Sequence, residues 1–254
     1  MYLTATRQEL AETVQRIASV ESIRAVIDVT LFHLTKDRTR EVRYRNAKGA
    51  LVTRRPGLIR TNLETPGGIA VVYDMVSNGR TFQVYFPWKN EVYEGPTDLT
   101  HVSDRRAENI RPQHILDAIM LEPIAEGRQT LLDIEMYGRS GYQVLHELEA
   151  EEGGALRIRR KFWFSRSDLN LSRLMILDED SELVTDAWYR EWLEDNGLPY
   201  PQHIRIERPQ DGYRLEIEVV RQGLNEEVPD DSFDLNLPDG VERKTIGDEP
   251  TSDS

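Results

Sequence analysis

The side chains that could do chemistry are few and scattered. The five histidines are His33, His101, His114, His146 and His203, and no two have the i, i+4 helical spacing that places a pair of ligands on one metal. There is no cysteine, so thiolate chemistry and disulfide frameworks are both excluded. No Gly-x-Ser-x-Gly, P-loop or Gly-x-Gly-x-x-Gly pattern occurs. The acidic clusters Glu151-Glu152 and Asp178-Glu179-Asp180 fall at expected turns and read as solvated loop charge. Arg157, Arg159, Arg160 and Lys161 form a basic stripe that has two readings. It could hold a lipid phosphate or an acidic partner, or it could be the wet face of a strand paired with acidic neighbours. Asn170-Leu171-Ser172 matches a glycosylation sequon. The residues therefore point to no catalytic group, no metal and no cofactor.

Bulk charge narrows the partners. The 254 residues carry 32 basic and 45 acidic side chains, a net charge of −13. A chain this acidic lacks the basic footprint that nucleic acid requires. No apolar run reaches the roughly 20 residues that span a bilayer. Met1 to Ser19 carries no charged-then-apolar leader pattern, so either the protein is cytoplasmic or the sequence starts after a removed leader.

The elements that must position these residues are mostly strands. Thr6 and Glu9 have capping-box spacing, and Leu10, Val14 and Ile17 then share one helical face, which predicts a helix over 7–19. From Ile23 the period changes to two, and Ile23, Ala25, Ile27, Val29 and Leu31 alternate with polar residues. Strand and turn then alternate to about residue 95, with breaks at 46–49, Pro56-Gly57, Pro66-Gly67-Gly68 and Asn78-Gly79. A second helix is predicted over 112–121, with Pro112 in its first turn and Ile115, Leu116, Ile119 and Met120 on its apolar face. Seven further strands follow to about 221. A dozen short strands with one wet face predict one large antiparallel sheet, and two small helices suffice to cover the hollow of a curved one. No repeat or linker divides the chain, so one domain is expected over 1–240, with a disordered acidic tail at 241–254.

The stretch from Gly49 to Gly95, GALVTRRPGLIRTNLETPGGIAVVYDMVSNGRTFQVYFPWKNEVYEG, resembles the bacterial outer-membrane lipoprotein carriers and their receptor relatives, the LolA/LolB-like superfamily. The matching parts are Arg55-Pro56, Thr65-Pro66, Asn78-Gly79 and Tyr85-Phe86-Pro87, in that order. The closing segment Phe233 to Val241 is similar to that family's Phe-x-x-x-Pro-x-Gly-Val end.

The resemblance implies a mainly β fold: an unclosed half-barrel whose helices cover a concave hydrophobic face. It implies non-catalytic binding and transport of lipoproteins or lipids through the bacterial envelope. The acyl chains would lie against Leu10, Val14, Ile17, Ile115, Leu116, Ile119 and Met120, beneath a movable second helix. Arg55, placed before the turn proline, would hold that lid by reaching helix carbonyls, with Arg54 and Arg60 as neighbours in register. The partners implied are acyl chains and an envelope membrane protein, and the place is the periplasm or the periplasmic face of the outer membrane. Two alternatives stay open: an envelope-stress sensor of the same fold, and a cofactorless enzyme using the cavity. The segment 140–210 exceeds what a carrier needs and holds Trp163, Trp188 and Trp192. It is expected to add strands, widen the sheet or form a partner surface.

Overall fold

A computed structural model describes residues 2–34, 41–44, 46–98, 111–151 and 153–246. The chain is mainly β. After helix α1 (Arg7–Ala18) come β1 (Ser22–Leu34), β2 (Glu41–Arg43), β3 (Ala47–Arg54), β4 (Leu58–Glu64), β5 (Val71–Asn78), β6 (Thr81–Phe86) and β7 (Glu91–Pro96). Helix α2 (Pro112–Ile119) precedes β8 (Gln129–Tyr137), β9 (Ser140–Ala150), β10 (Leu156–Ser165), β11 (Leu171–Leu177), β12 (Leu183–Asp195), β13 (Leu198–Arg208) and β14 (Tyr213–Leu224). A 3₁₀ turn (Asp230–Phe233) and β15 (Glu242–Thr245) close it.

The strands follow one order, β15-β7-β6-β5-β4-β3-β1-β14-β13-β12-β11-β10-β9-β8, with β2 beside β1, and the sheet does not close into a barrel. Strands pair antiparallel from β1 through β3 to β7 and from β8 to β14, as expected over 23–221, and β15, beyond that range, runs parallel to β7, which makes the sheet mixed. The tail expected to be disordered from 241 thus begins as a paired strand, and Ile246 is buried beyond it. Residues 247–254 lie outside the described ones. The second helix ends at Ile119 rather than 121.

The residues fall into two compact units. One comprises 1–20 and 117–218, the other 21–116 and 219–254. In the first, period-two alternation stacks one side chain per strand into a single row: Leu132, Leu145, Phe162, Leu174, Ala187, Ile206 and Leu215. In the second, the corresponding row is Ala25, Leu51, Thr61, Met75, Val84 and Tyr93, all buried. Each row is the cross-strand consequence of the alternation visible in single strands.

Helix α1 begins where the sequence places it. The Thr6 hydroxyl accepts from the Glu9 N–H at 3.2 Å, and the Thr6 N–H donates to the Glu9 carboxylate at 2.7 Å, which completes a capping box. Leu10, Val14 and Ile17 are buried on one side of it. At its start Arg7 Nη1 donates to the Thr130 carbonyl of β8 (3.1 Å), and at its end Arg16 Nη2 reaches Glu194 (2.6 Å) and the Gly197 carbonyl (2.9 Å) after β12. The helix packs on β8, β9 and β13. The helix thus crosses this strand layer from β8 to β13.

Candidate functional site

The site grows from the face of the first unit that α1 covers. Gln143, on the same side of β9 as Leu145, donates to the Ala5 carbonyl and accepts from the Ala5 N–H, each at 2.7 Å, and so fixes the approach to α1. The row described above, with Phe164, Tyr189, Ile204 and Ile217 beside it, makes this face almost wholly apolar.

Polar groups enter this face at the segment that ends α2. The Tyr189 hydroxyl donates to the Ala118 carbonyl at 2.8 Å, and the Tyr200 hydroxyl donates to the Ile119 carbonyl at 3.4 Å. Arg160 Nη1 and Nη2 donate to the carbonyls of Glu122 (2.7 Å) and Pro123 (2.9 Å). The last carbonyls of a helix lack intrahelical partners, and three side chains supply them here. Arg160 also donates through Nε to the Glu147 carboxylate, and its guanidinium lies over the Phe162 ring at 5.2 Å. Burial pushes both phenols above their usual range, so Tyr189 and Tyr200 stay protonated as donors.

The predicted ligand-facing residues are all covered. Leu10, Val14 and Ile17 are 1, 0 and 6% exposed, and Ile115, Leu116, Ile119 and Met120 are 6, 6, 3 and 5% exposed. A pocket of about 740 Å³ lies elsewhere, in the second unit, between β5–β7 and residues 233–236. Val76, Gln83, Glu94 and Leu235 are part of its mixed lining, and none of the seven predicted residues borders it. Arg55 is half-buried, in the second unit, at the turn between β3 and β4, where its N–H donates to the Glu21 carbonyl at 2.9 Å. The arginine found on the carbonyls that follow α2 is Arg160, which the basic stripe contained without marking its role. Its one signal was position: it precedes Phe162 and Phe164 by two and four residues, in phase with the core.

Of the rest of the stripe, Arg157 is paired with acids, and Lys161 lies over the Trp163 ring at 5.9 Å. Arg157 meets Glu149 at 2.5 Å and Glu151 at 3.9 Å, and Arg128 meets Glu149 at 2.6 Å. On the opposite side of these strands the long 140–210 segment builds a ladder in which arginine and tryptophan alternate. Arg173 lies 4.9 Å from the Trp163 ring and 4.8 Å from the Trp188 ring, and Arg205 lies 4.7 Å from Trp188. Arg173 is held by two bonds to Asp186, at 2.7 and 2.6 Å. Residues 140–210 form β9 to β13. His101 lies outside the described residues, and among those described no three His, Asp or Glu side chains group as a metal site.

No protein-family model matches the chain, and no curated protein does. Solved structures do. A LolA superfamily protein from Nitrosomonas europaea is 13% identical, with a TM-score of 0.53 over 91% of this chain and 99% of that one. An outer membrane lipoprotein-sorting protein domain from Vibrio parahaemolyticus is 10% identical, with a TM-score of 0.51 over 90% of this chain and 97% of that one. A DUF1329 family protein from Desulfovibrio piger is 15% identical, with a TM-score of 0.50 over 90% and 95%. At these identities the likeness is one of fold, and the fold is LolA-like.

Proposed function

We propose that this chain is a non-catalytic carrier or receptor for the acyl chains of lipoproteins or lipids in the bacterial envelope, acting in the periplasm or at the periplasmic face of the outer membrane. No helix among the described residues is long and apolar enough to cross a membrane. The observation that carries the reading is the way α2 ends on the apolar face. A helix of eight residues is not stable alone and takes its stability from its seat. Part of that seat is polar: Tyr189, Tyr200 and Arg160 hold the carbonyls of Ala118, Ile119, Glu122 and Pro123. The two phenol bonds are each worth about 1 kcal/mol net and the two from the charged guanidinium about 1.5–3 kcal/mol, and the aliphatic underside loses little when it exchanges sheet for acyl chain. The helix can therefore leave its seat when a ligand replaces it. Each buried methylene of that ligand contributes about 0.8 kcal/mol. Arg55 remains the residue proposed to hold the lid, on the sequence resemblance at Arg55-Pro56. The carrier fold of an outer membrane lipoprotein-sorting domain supports the same reading.

The test is native mass spectrometry of the full chain with a synthetic diacyl lipopeptide, paired with a spin-label distance between α2 and β13. A one-to-one complex and a lengthened distance are expected, and Val14→Asp should abolish both. Absence of any complex, with α2 unmoved, overturns the proposal.

A further inference from the structure

The strand β8 is the last in the sheet order, and among the described residues no strand pairs with its outer edge. Alternation turns the main chain of Thr130, Leu132, Ile134 and Met136 toward that edge. Two contacts show this phase. The Thr130 carbonyl accepts from Arg7 at 3.1 Å, and the Ile134 N–H donates to the Asp133 carboxylate at 2.7 Å. The Leu132 and Met136 amides and carbonyls share the phase and face outward.

The side chains are as open as the backbone. Leu131, Ile134, Met136 and Tyr137 are 55, 53, 52 and 58% exposed, so both faces of this nine-residue strand present apolar surface. Ile134 continues the cross-strand pairing of Gln143 and Phe164, so its surface is contiguous with the apolar face beneath α1. A long apolar edge is the template on which another strand adds, and proteins ordinarily blunt such edges.

Charge selects the occupant. The only ionised side chains on β8 are Asp133 and Glu135, and both lie on the outer face. A second copy adding antiparallel along the full length of β8 would set Asp133 against Asp133, and like charges directly opposite destabilise a ladder. We propose that the β8 edge docks an extended segment of a partner protein, apolar on one face and carrying lysine or arginine on the other, which adds to the sheet as its next strand. The inference is independent of the acyl-chain reading.

Fluorescence anisotropy of the full chain with two labelled nine-residue peptides tests it. One alternates valine with lysine, the other valine with glutamate. The lysine peptide should bind about tenfold more tightly or better, and added salt should weaken it. Leu132→Pro removes an outward N–H without touching the β9 ladder, so it should abolish binding while the circular dichroism stays unchanged. Asp133→Lys leaves one base beside Glu135 and should erase the preference between the peptides, which keeps the test open if the proline variant folds poorly. Equal affinity for both peptides, no binding of either, or binding that survives Leu132→Pro would overturn the proposal. So would self-association of the protein that Leu132→Pro abolishes, since the occupant would then be a second copy.

Discussion

Arg160 and Glu147 face each other across β10 and β9 as a sealed ion pair, their side chains 9 and 3% exposed on the face that also carries Leu145 and Phe162. Removing one member of such a pair leaves an uncompensated buried charge, which costs about 3–5 kcal/mol, whereas replacing both with apolar residues of similar volume is often neutral. Arg160→Met should therefore lower the urea midpoint sharply, and Arg160→Met with Glu147→Met should recover most of the loss. Both variants should raise amide exchange in residues 118–123, because the Glu122 and Pro123 carbonyls lose their donor. A single variant as stable as the parent, with unchanged exchange, would show that the pair does not hold this segment.

Gly49 is required by a close backbone approach and not by its φ angle. A methyl group on it would stand 1.8 Å from the main-chain oxygen of Asn62 on β4, which is backbone and cannot swing aside. Gly49→Ala should force β3 and β4 apart and cost about 1–3 kcal/mol. Equilibrium urea unfolding with an unchanged slope measures it, and an unperturbed midpoint would contradict the geometry.

His146 is 7% exposed, and neither of its ring nitrogens has a hydrogen-bond partner among the described residues. Burial first, and the Lys161 ammonium second, push its pKa below the usual 6.5, against the pull of Asp133 and Glu135. The imidazole is thus neutral in the folded protein at a pH where the unfolded chain already binds a proton. Stability must therefore fall as pH drops through 6.5 toward the folded value. His146→Phe should flatten that part of the stability profile. An NMR titration that places the imidazole at or above its ordinary pKa would refute the assignment.

Much of this protein was legible in its sequence, for reasons that are local. The Thr6–Glu9 capping box is four residues long, and it starts α1 where its spacing says. The i, i+4, i+7 placement of Leu10, Val14 and Ile17 fixes which side of that helix is covered. Alternation in single strands fixes which residues form the core rows, and the Gly49–Gly95 pattern carries the LolA-like order of hairpins. β15 was missed because four polar residues have no period of their own, and only the neighbouring β7 makes them a strand.

The role of Arg160 was decided by tertiary structure alone. Strict alternation puts Arg157 and Arg160 on opposite faces of β10. The register instead shifts between Ile158 and Arg160, so that Arg157 pairs opposite Glu149 and Arg160 opposite Glu147. A bulge inserts one unpaired residue and resets the phase of everything beyond it. Arg159 is that residue, and it brings both flanking arginines to the side where the β9 acids stand. Nothing in residues 157–161 marks the bulge, because it is a property of two strands paired together. The sequence by itself therefore determined the elements and their apolar faces, which depend on neighbours in the chain. The pairing of strands decided which arginine reached the end of α2 and which strand was left at the edge, because both depend on residues far apart in the chain.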